Sequence, residues 1–131
     1  MNNIFHKAGK RKRAVAKATI KPGKGLIRIN STLLENYEPK IAQMRIKEPI
    51  IIVGADASKY DIRVRVNGGG WQAQAEAARL AIARAFVESK KSLKQTFLDY
   101  DRHLLIADTR YKEACKPGDS KARAKRTKSY R

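Results

Sequence analysis

Apolar and polar positions begin to alternate at Ala14. Ala14, Ala16, Ala18 and Ile20 share one face, and Val15, Lys17 and Thr19 the other, which is the period of a half-buried strand. Lys21-Pro22-Gly23-Lys24-Gly25 carries turn chemistry and alternation resumes over Leu26–Ile29, so the two runs predict a β-hairpin with a basic loop. Thr32 with Glu35 three residues later matches a capping box and predicts a short helix. Pro39 either ends that helix or opens another through Ile41–Ile46, which Glu48-Pro49 then stops. Ile50–Val53, apolar and bounded by Pro49 and Gly54, predicts a buried strand. After a polar turn over Asp56–Lys59, Tyr60–Val66 alternates strictly. Tyr60, Ile62, Val64 and Val66 point inward; Asp61, Arg63 and Arg65 point outward. The two arginines then stand about 7 Å apart on the exposed face, ordinary for a solvated sheet and useful toward RNA.

Asn67-Gly68-Gly69-Gly70 leads from that strand into the longest predicted helix, Gln72–Ser89. Its many alanines are strong helix formers. Ala75, Ala78, Ile82, Ala85 and Phe86 fall at i, i+3, i+4 spacing and make one apolar stripe, and alanines permit close approach of helix to sheet. Trp71 reads as a packing residue at the helix start, with stacking on a base as the second reading. A less regular helix is predicted over Ser92–Asp99, with Leu104–Ala107 as a last apolar segment. The order of elements implies an α+β fold, a single mixed β-sheet with helices packed on one face.

Charge divides the chain further. The 131 residues hold 30 Lys and Arg against 12 Asp and Glu, a net +18. Met1–Arg28 has nine basic residues and no acid; Arg110–Arg131 has nine against two, Glu113 and Asp119. The ends therefore account for +16, leaving +2 on Ile29–Thr109. Three regions follow: a basic N-terminal arm over 1–13, a globular body over 14–109, and an extended basic tail over 110–131 that hinges at Pro117-Gly118. Within Ser120–Arg131 six of twelve residues are basic, and apart from Tyr130 the uncharged side chains are Ala, Ser and Thr. So little apolar surface cannot offset the entropy of ordering, so alone this tail is expected to lack a fold. A protein of this charge needs a polyanionic partner.

Enzymatic chemistry has little to build on. His6 and His103 are the only histidines and Cys115 the only cysteine, which excludes an intramolecular disulfide and a thiolate zinc site. His103 can pair with Asp101, a structural role. The glycine triplet does not fit a Walker loop, which needs a Gly-Lys-Ser/Thr, nor the dinucleotide fingerprint, which fails at Ala73. It remains either a structural turn or a close approach to an RNA backbone, with N–H groups at a helix N-terminus able to meet phosphate. No catalytic residue, metal site, cofactor or small-molecule substrate is expected. No secretory signal or apolar run long enough to span a bilayer is present, and the chain reads as cytoplasmic.

RNA is the polyanion the pattern favours. Lys10, Arg11, Lys12 and Arg13 are the densest basic run of the arm, and Lys21 and Lys24 extend it at the loop tip. A DNA-compacting protein shares the charge but normally shows a groove-reading helix or a wedge residue; here the charge lies in the arms and the long helix is mostly Ala. A small nucleotide-dependent enzyme centred on Gly68–Gly70 lacks a phosphate lysine, a ligand set and a base.

Several segments taken in order carry a resemblance. Gly9-Lys10-Arg11-Lys12-Arg13-Ala14-Val15-Ala16, Gly23-Lys24-Gly25, Val66-Asn67-Gly68-Gly69-Gly70, Gln74-Ala75-Glu76-Ala77-Ala78-Arg79 and the closing Lys121–Arg126 with Lys128-Ser129-Tyr130-Arg131 resemble the small-subunit ribosomal protein nine family. Tyr100-Asp101-Arg102 and the Ser-Tyr-Arg ending are similar to its archaeal and eukaryotic branch. The resemblance implies a ribosomal S5-domain-2-like body in the head of the small subunit, a structural constituent rather than an enzyme. Its implied partners are small-subunit rRNA, neighbouring ribosomal proteins of the head and peptidyl-site tRNA. Carried over by position, rRNA contacts fall to Lys10, Arg11, Lys12, Arg13, Lys21, Lys24, Gly68, Gly69, Gly70, Lys121, Arg123, Lys125 and Arg126. Contacts to the tRNA anticodon stem-loop fall to Lys128, Ser129 and Arg131.

Overall fold

Small side chains set how this protein packs. The computed structural model describes residues 3–115, 117 and 122. Strand β1 (Phe5–Arg11) pairs antiparallel with β2 (Ala14–Pro22). On β2 the alternation predicted from sequence holds, with Ala14, Ala16, Ala18 and Ile20 all buried. They face α2 (Trp71–Ser89), whose Ala77, Ala78, Ala81 and Ile82 are buried in turn. Strand β1 presses on the same helix through Gly9. A Cβ there would stand 2.3 Å from the Ala77 carbonyl oxygen and 2.7 Å from the Ala81 nitrogen, so only glycine fits. Within the basic N-terminal stretch, Phe5–Arg11 are therefore held against the body. They form the edge strand of the sheet, which alternation from Ala14 onward did not reveal because its buried position is a glycine.

Five strands lie in the order β1-β2-β5-β3-β4, with β3 at Ile27–Ile29, β4 at Thr32–Leu33 and β5 at Tyr60–Asn67. Strand β5 pairs antiparallel with β2 and parallel with β3, so the sheet is mixed. The predicted hairpin between Ala14–Ile20 and Leu26–Ile29 does not form, because β5 lies between the two runs. The loop they share spans two strand spacings and is organised by β5. Gly23 donates to the Lys59 carbonyl at 2.9 Å, and Ile62 to that of Leu26 at 2.8 Å.

Thr32 caps no helix. It lies in β4, and a 3-10 turn at Leu34–Asn36 follows without a side-chain cap. Gln43 satisfies that turn from outside, donating to the carbonyls of Leu34 and Glu35 at 2.7 Å each. Helix α1 (Lys40–Val53) opens at Pro39, one of the two readings, but runs through Pro49 and absorbs the Ile50–Val53 segment expected as a strand. Ala42, Ile46 and Pro49 are buried, and Ile50 and Val53 half-buried against the core. That is i, i+4, i+7, i+8, i+11 spacing. A mid-helix proline costs about 3 kcal/mol, but each buried aliphatic side chain contributes about 1.5–3 kcal/mol, so the helical face wins. Gly54 ends the helix with a left-handed φ of 69°.

Helix α3 (Leu93–Tyr100) buries Phe97, and a 3-10 turn at Arg102–Leu104 buries Leu104. Arg79 of α2, 6% exposed, joins the helical layer. Its Nε lies 2.6 Å from Glu48 Oε2 of α1, an ion pair too oblique for a hydrogen bond. Its Nη2 donates to Asp101 Oδ2 at 2.9 Å. Burial raises the pKa of Asp101, but the His103 N–H and the Arg79 guanidinium more than reverse this, leaving it below the usual carboxylate value. Asp101 meets His103 through that backbone N–H, not through the imidazole. Trp71, read as a packing residue, is instead 43% exposed at the first turn of α2.

Candidate nucleic-acid interface

Among the described residues the three α-helices lie on one side of the sheet, and its other face is left uncovered. Alternation sends Gly9, Ala16, Ile62 and Val64 toward the helices, which leaves Lys17, Arg28, Arg63 and Arg65 on the open face. Register brings them together: Lys17 is opposite Arg65, and Arg28 opposite Arg63. Among the described residues none of the four forms an ion pair. Like charges set directly opposite one another destabilise a sheet, so this cluster is not there for the fold. His6, whose Nδ1 lies 2.9 Å from Thr19 Oγ1, and Lys21 complete the rim of a depression of about 500 Å³.

One acid lies on that face, and its charge is used locally. Asp61 Oδ1 accepts from the backbone N–H of Lys24 at 2.8 Å and of Leu26 at 3.0 Å. The Leu26 and Lys24 amides hold its carboxyl below the usual range. The carboxylate thereby shapes the loop that presents Lys21 and Lys24 at the end of the cationic face.

The glycine triplet meets the basic turn between β1 and β2. Lys12 there has a φ of 51°, and Tyr111 donates its hydroxyl to the Lys12 carbonyl at 2.8 Å. Gly68 and Gly69 adopt φ of 75° and 68°. A Cβ on Gly68 would lie 2.6 Å from the Arg13 carbonyl oxygen, and one on Gly69 2.9 Å from the Ala14 nitrogen. These two glycines are therefore required by the protein's own backbone. Gly70 has open space around its Cα and sits at the start of α2. Lys12, Arg13, Gly69, Gly70 and the first residues of the C-terminal segment, Tyr111–Cys115, line one cleft of about 570 Å³.

Arg11 departs from its neighbours. It points inward, its side chain 14% exposed, with Nε 2.7 Å from Glu76 Oε2 and Nη2 3.6 Å from Asp108 Oδ2. Lys10 stays exposed at the sheet edge. Lys17 and Arg28 did not stand out in the sequence. Their signal was there, a basic residue at the outward position of each alternating run, but it becomes a cluster only when β5 is known to lie between β2 and β3. Lys121, Arg123, Lys125, Arg126, Lys128, Ser129, Arg131 and the Pro117-Gly118 hinge, Pro117 apart, lie outside the described residues. Among those described, no group of three His, Cys, Asp or Glu side chains can hold a metal ion, and no helix is long and apolar enough to cross a membrane.

Sequence comparison gives this geometry its setting. The family described as ribosomal protein S9/S16 matches residues 9–131. This chain belongs to that family. It is similar to proteins named small ribosomal subunit protein uS9 from Methanococcus maripaludis strains C7, S2 and C5. Each is 47% identical over 132 residues, covering 98% of this chain and 98% of the relative. The archaeal source agrees with the archaeal and eukaryotic character read from Tyr100-Asp101-Arg102 and the chain end. Members of the S9/S16 family are structural components of the small ribosomal subunit.

Proposed function

We propose that this S9/S16-family protein grips small-subunit rRNA in the head with the bare face of its sheet and carries its C-terminal segment to peptidyl-site tRNA during translation in the cytoplasm. The observation that carries the reading is the set of cations Lys17, Arg28, Arg63 and Arg65, which among the described residues form no ion pair and lie on a face no described helix covers. Phosphates supply the missing counter-charge, and counterion release from RNA drives the association. Lys21 lines the same depression, and Lys10, Lys12, Arg13 and Lys24 are assigned to the rRNA with it. The cleft between Lys12, Arg13 and Gly70 suits a backbone phosphate approaching the start of α2.

The tail extends the contact. Lys121, Arg123, Lys125 and Arg126 are assigned to rRNA, and Lys128, Ser129 and Arg131 to the anticodon stem-loop backbone. Phosphate contacts carry no sequence information, so tRNAs of every identity are held alike. Arg11 is left out of the rRNA set because its guanidinium is occupied inside the protein. Gly68 and Gly69 serve the RNA only by shaping the turn that Lys12 and Arg13 occupy.

The test is competition for assembly. Tagged Arg63→Glu/Arg65→Glu protein, co-expressed with wild type, is expected to be under-represented in small subunits although it folds. Removal of Thr127–Arg131 is expected to leave incorporation intact and to weaken retention of peptidyl-site tRNA. Equal incorporation of the charge-reversed protein contradicts the assignment of the sheet face.

A further inference from the structure

Where the C-terminal segment leaves the body, two arginines bind it to the edge of the sheet. Arg84 of α2 donates from Nε to the Leu105 carbonyl at 2.9 Å and from Nη1 to the Ala8 carbonyl of β1 at 2.9 Å. Arg11 of β1 meets Glu76 of α2 through Nε, donates from Nη1 to the Arg110 carbonyl at 2.9 Å, and turns Nη2 to Asp108. Arg110 folds back on Asp108 through its own N–H and guanidinium, at 3.0 Å and 2.7 Å. Tyr111 fastens the next residue to Lys12. From Ala107 to Tyr111 the chain has no regular secondary structure, yet it is anchored at Asp108, Arg110 and Tyr111.

The withdrawal of Arg11 from solvent is what needs explaining. It belongs to a run of four basic residues in a stretch of 28 without an acid, and it alone of the four is turned into the protein. Two hydrogen-bond acceptors, Glu76 and the Arg110 carbonyl, and the Asp108 carboxylate 3.6 Å away lie in different directions and call for a rigid planar fork. Arginine presents five donors in that form, and lysine cannot.

We propose that Arg11 is a positioning residue that, through Asp108 and the Arg110 carbonyl, fixes the direction in which the C-terminal segment leaves the body. The proposal rests on the reading that the end of this segment meets peptidyl-site tRNA. Twenty residues follow Tyr111, a reach of up to about 66 Å when fully extended. A loose root spreads the far end over a wide volume, whereas a fixed root keeps its local concentration near the target high. Arg11 thus contributes to tRNA contact without touching RNA.

Cys115, the lone and exposed cysteine, permits a direct test in the full-length protein. A nitroxide on Cys115 reports mobility a few residues beyond the anchored stretch. Wild type is expected to give a hindered spectrum, and Arg11→Lys and Asp108→Asn faster ones, with circular dichroism unchanged. Asp108→Asn leaves the Arg11–Glu76 pair in place, so it separates root release from loss of strand–helix contact. Unchanged label mobility in both variants overturns the proposal. In assembled small subunits, Arg11→Lys is expected to speed dissociation of peptidyl-site tRNA by about threefold to tenfold. In protein lacking Thr127–Arg131 the same substitution is expected to add nothing. Additive effects overturn the proposal, since they place Arg11 in the body alone. If the truncation itself leaves tRNA dissociation unchanged, the tRNA reading falls, while the spin label still decides the role of Arg11 at the root.

Discussion

Lys17 lies directly opposite Arg65 in the β2–β5 ladder, and no acid stands between them. Two cations in register on an uncovered sheet face weaken the free protein, and the neighbouring Arg28–Arg63 pair repeats the arrangement. The fold tolerates this because the alanine and isoleucine positions on the reverse face are fully buried. Stability is thus concentrated on one side of the sheet, and the proposed RNA contact lies on the other.

Arg65→Glu should therefore separate the two properties. A cross-strand Lys17–Glu pair replaces repulsion with attraction, a gain below about 1 kcal/mol for exposed side chains. Urea unfolding of the isolated protein is expected to show unchanged or slightly higher stability, and RNA binding is expected to weaken. A marked loss of stability would mean that Arg65 serves the fold.

The glycines give a graded series. Gly9→Ala forces a methyl into the backbone of α2, and overpacking of this kind costs about 1–3 kcal/mol or more. Gly69→Ala puts a Cβ 2.9 Å from the Ala14 nitrogen, closer than van der Waals contact, and also needs a left-handed φ, so a loss of about 1–2 kcal/mol or more is expected. Gly70→Ala meets nothing and should cost about 0.5–1 kcal/mol at the N-cap of α2, where glycine is preferred to alanine. Thermal denaturation of the three variants orders them, and a Gly70 variant as damaged as the Gly9 variant would contradict the packing described.

Arg79→Ala removes the cation between Glu48 and Asp101. Both carboxylates are about one-third exposed and can recover some hydration. The expected loss is about 2–3 kcal/mol, below the figure for a fully buried pair. Denaturant midpoints measure it, and an Arg79→Met variant that restores volume should recover part of the loss.

Acid should loosen the β2–β3 loop. The Leu26 and Lys24 amides depress the Asp61 pKa. A depressed carboxylate contributes stability above its unfolded value near 3.9, and that contribution fades as pH falls through the folded value. The protection of the Lys24 and Leu26 amides, measured against their intrinsic exchange rates, is therefore expected to be high near pH 5 and to fall below about pH 4. Asp61→Asn should remove most of that pH dependence. Protection that is the same at pH 5 and pH 2.5 would show that the carboxylate does not hold the loop.

Much of this was legible in the chain. The period-2 runs at Ala14–Ile20 and Tyr60–Val66 and the stripe Ala75–Phe86 face the core as their spacing requires. What escaped were features whose cause lies elsewhere in the fold. Phe5–Arg11 is a strand because α2 offers Gly9 a groove, and no local pattern records that. Pro49 sits inside a helix because Ile46, Ile50 and Val53 share a buried face, which outweighs a local rule. The hairpin failed because pairing depends on β5, more than thirty residues away. The site followed suit: Lys12, Arg13 and Gly70 did come together, but Arg11 turned inward to two acids remote in sequence, and Lys17 and Arg28 joined the interface only through strand order.

The most direct measurement is the salt dependence of binding to small-subunit rRNA, for wild type and for a variant with Lys17, Arg28, Arg63 and Arg65 all changed to Ala. Each lost phosphate contact lowers the slope of log affinity against log salt by about 0.7–0.9. The variant is therefore expected to bind more weakly with a slope shallower by about 3, while keeping its fold. An unchanged slope and affinity would show that the bare face of the sheet does not hold the RNA.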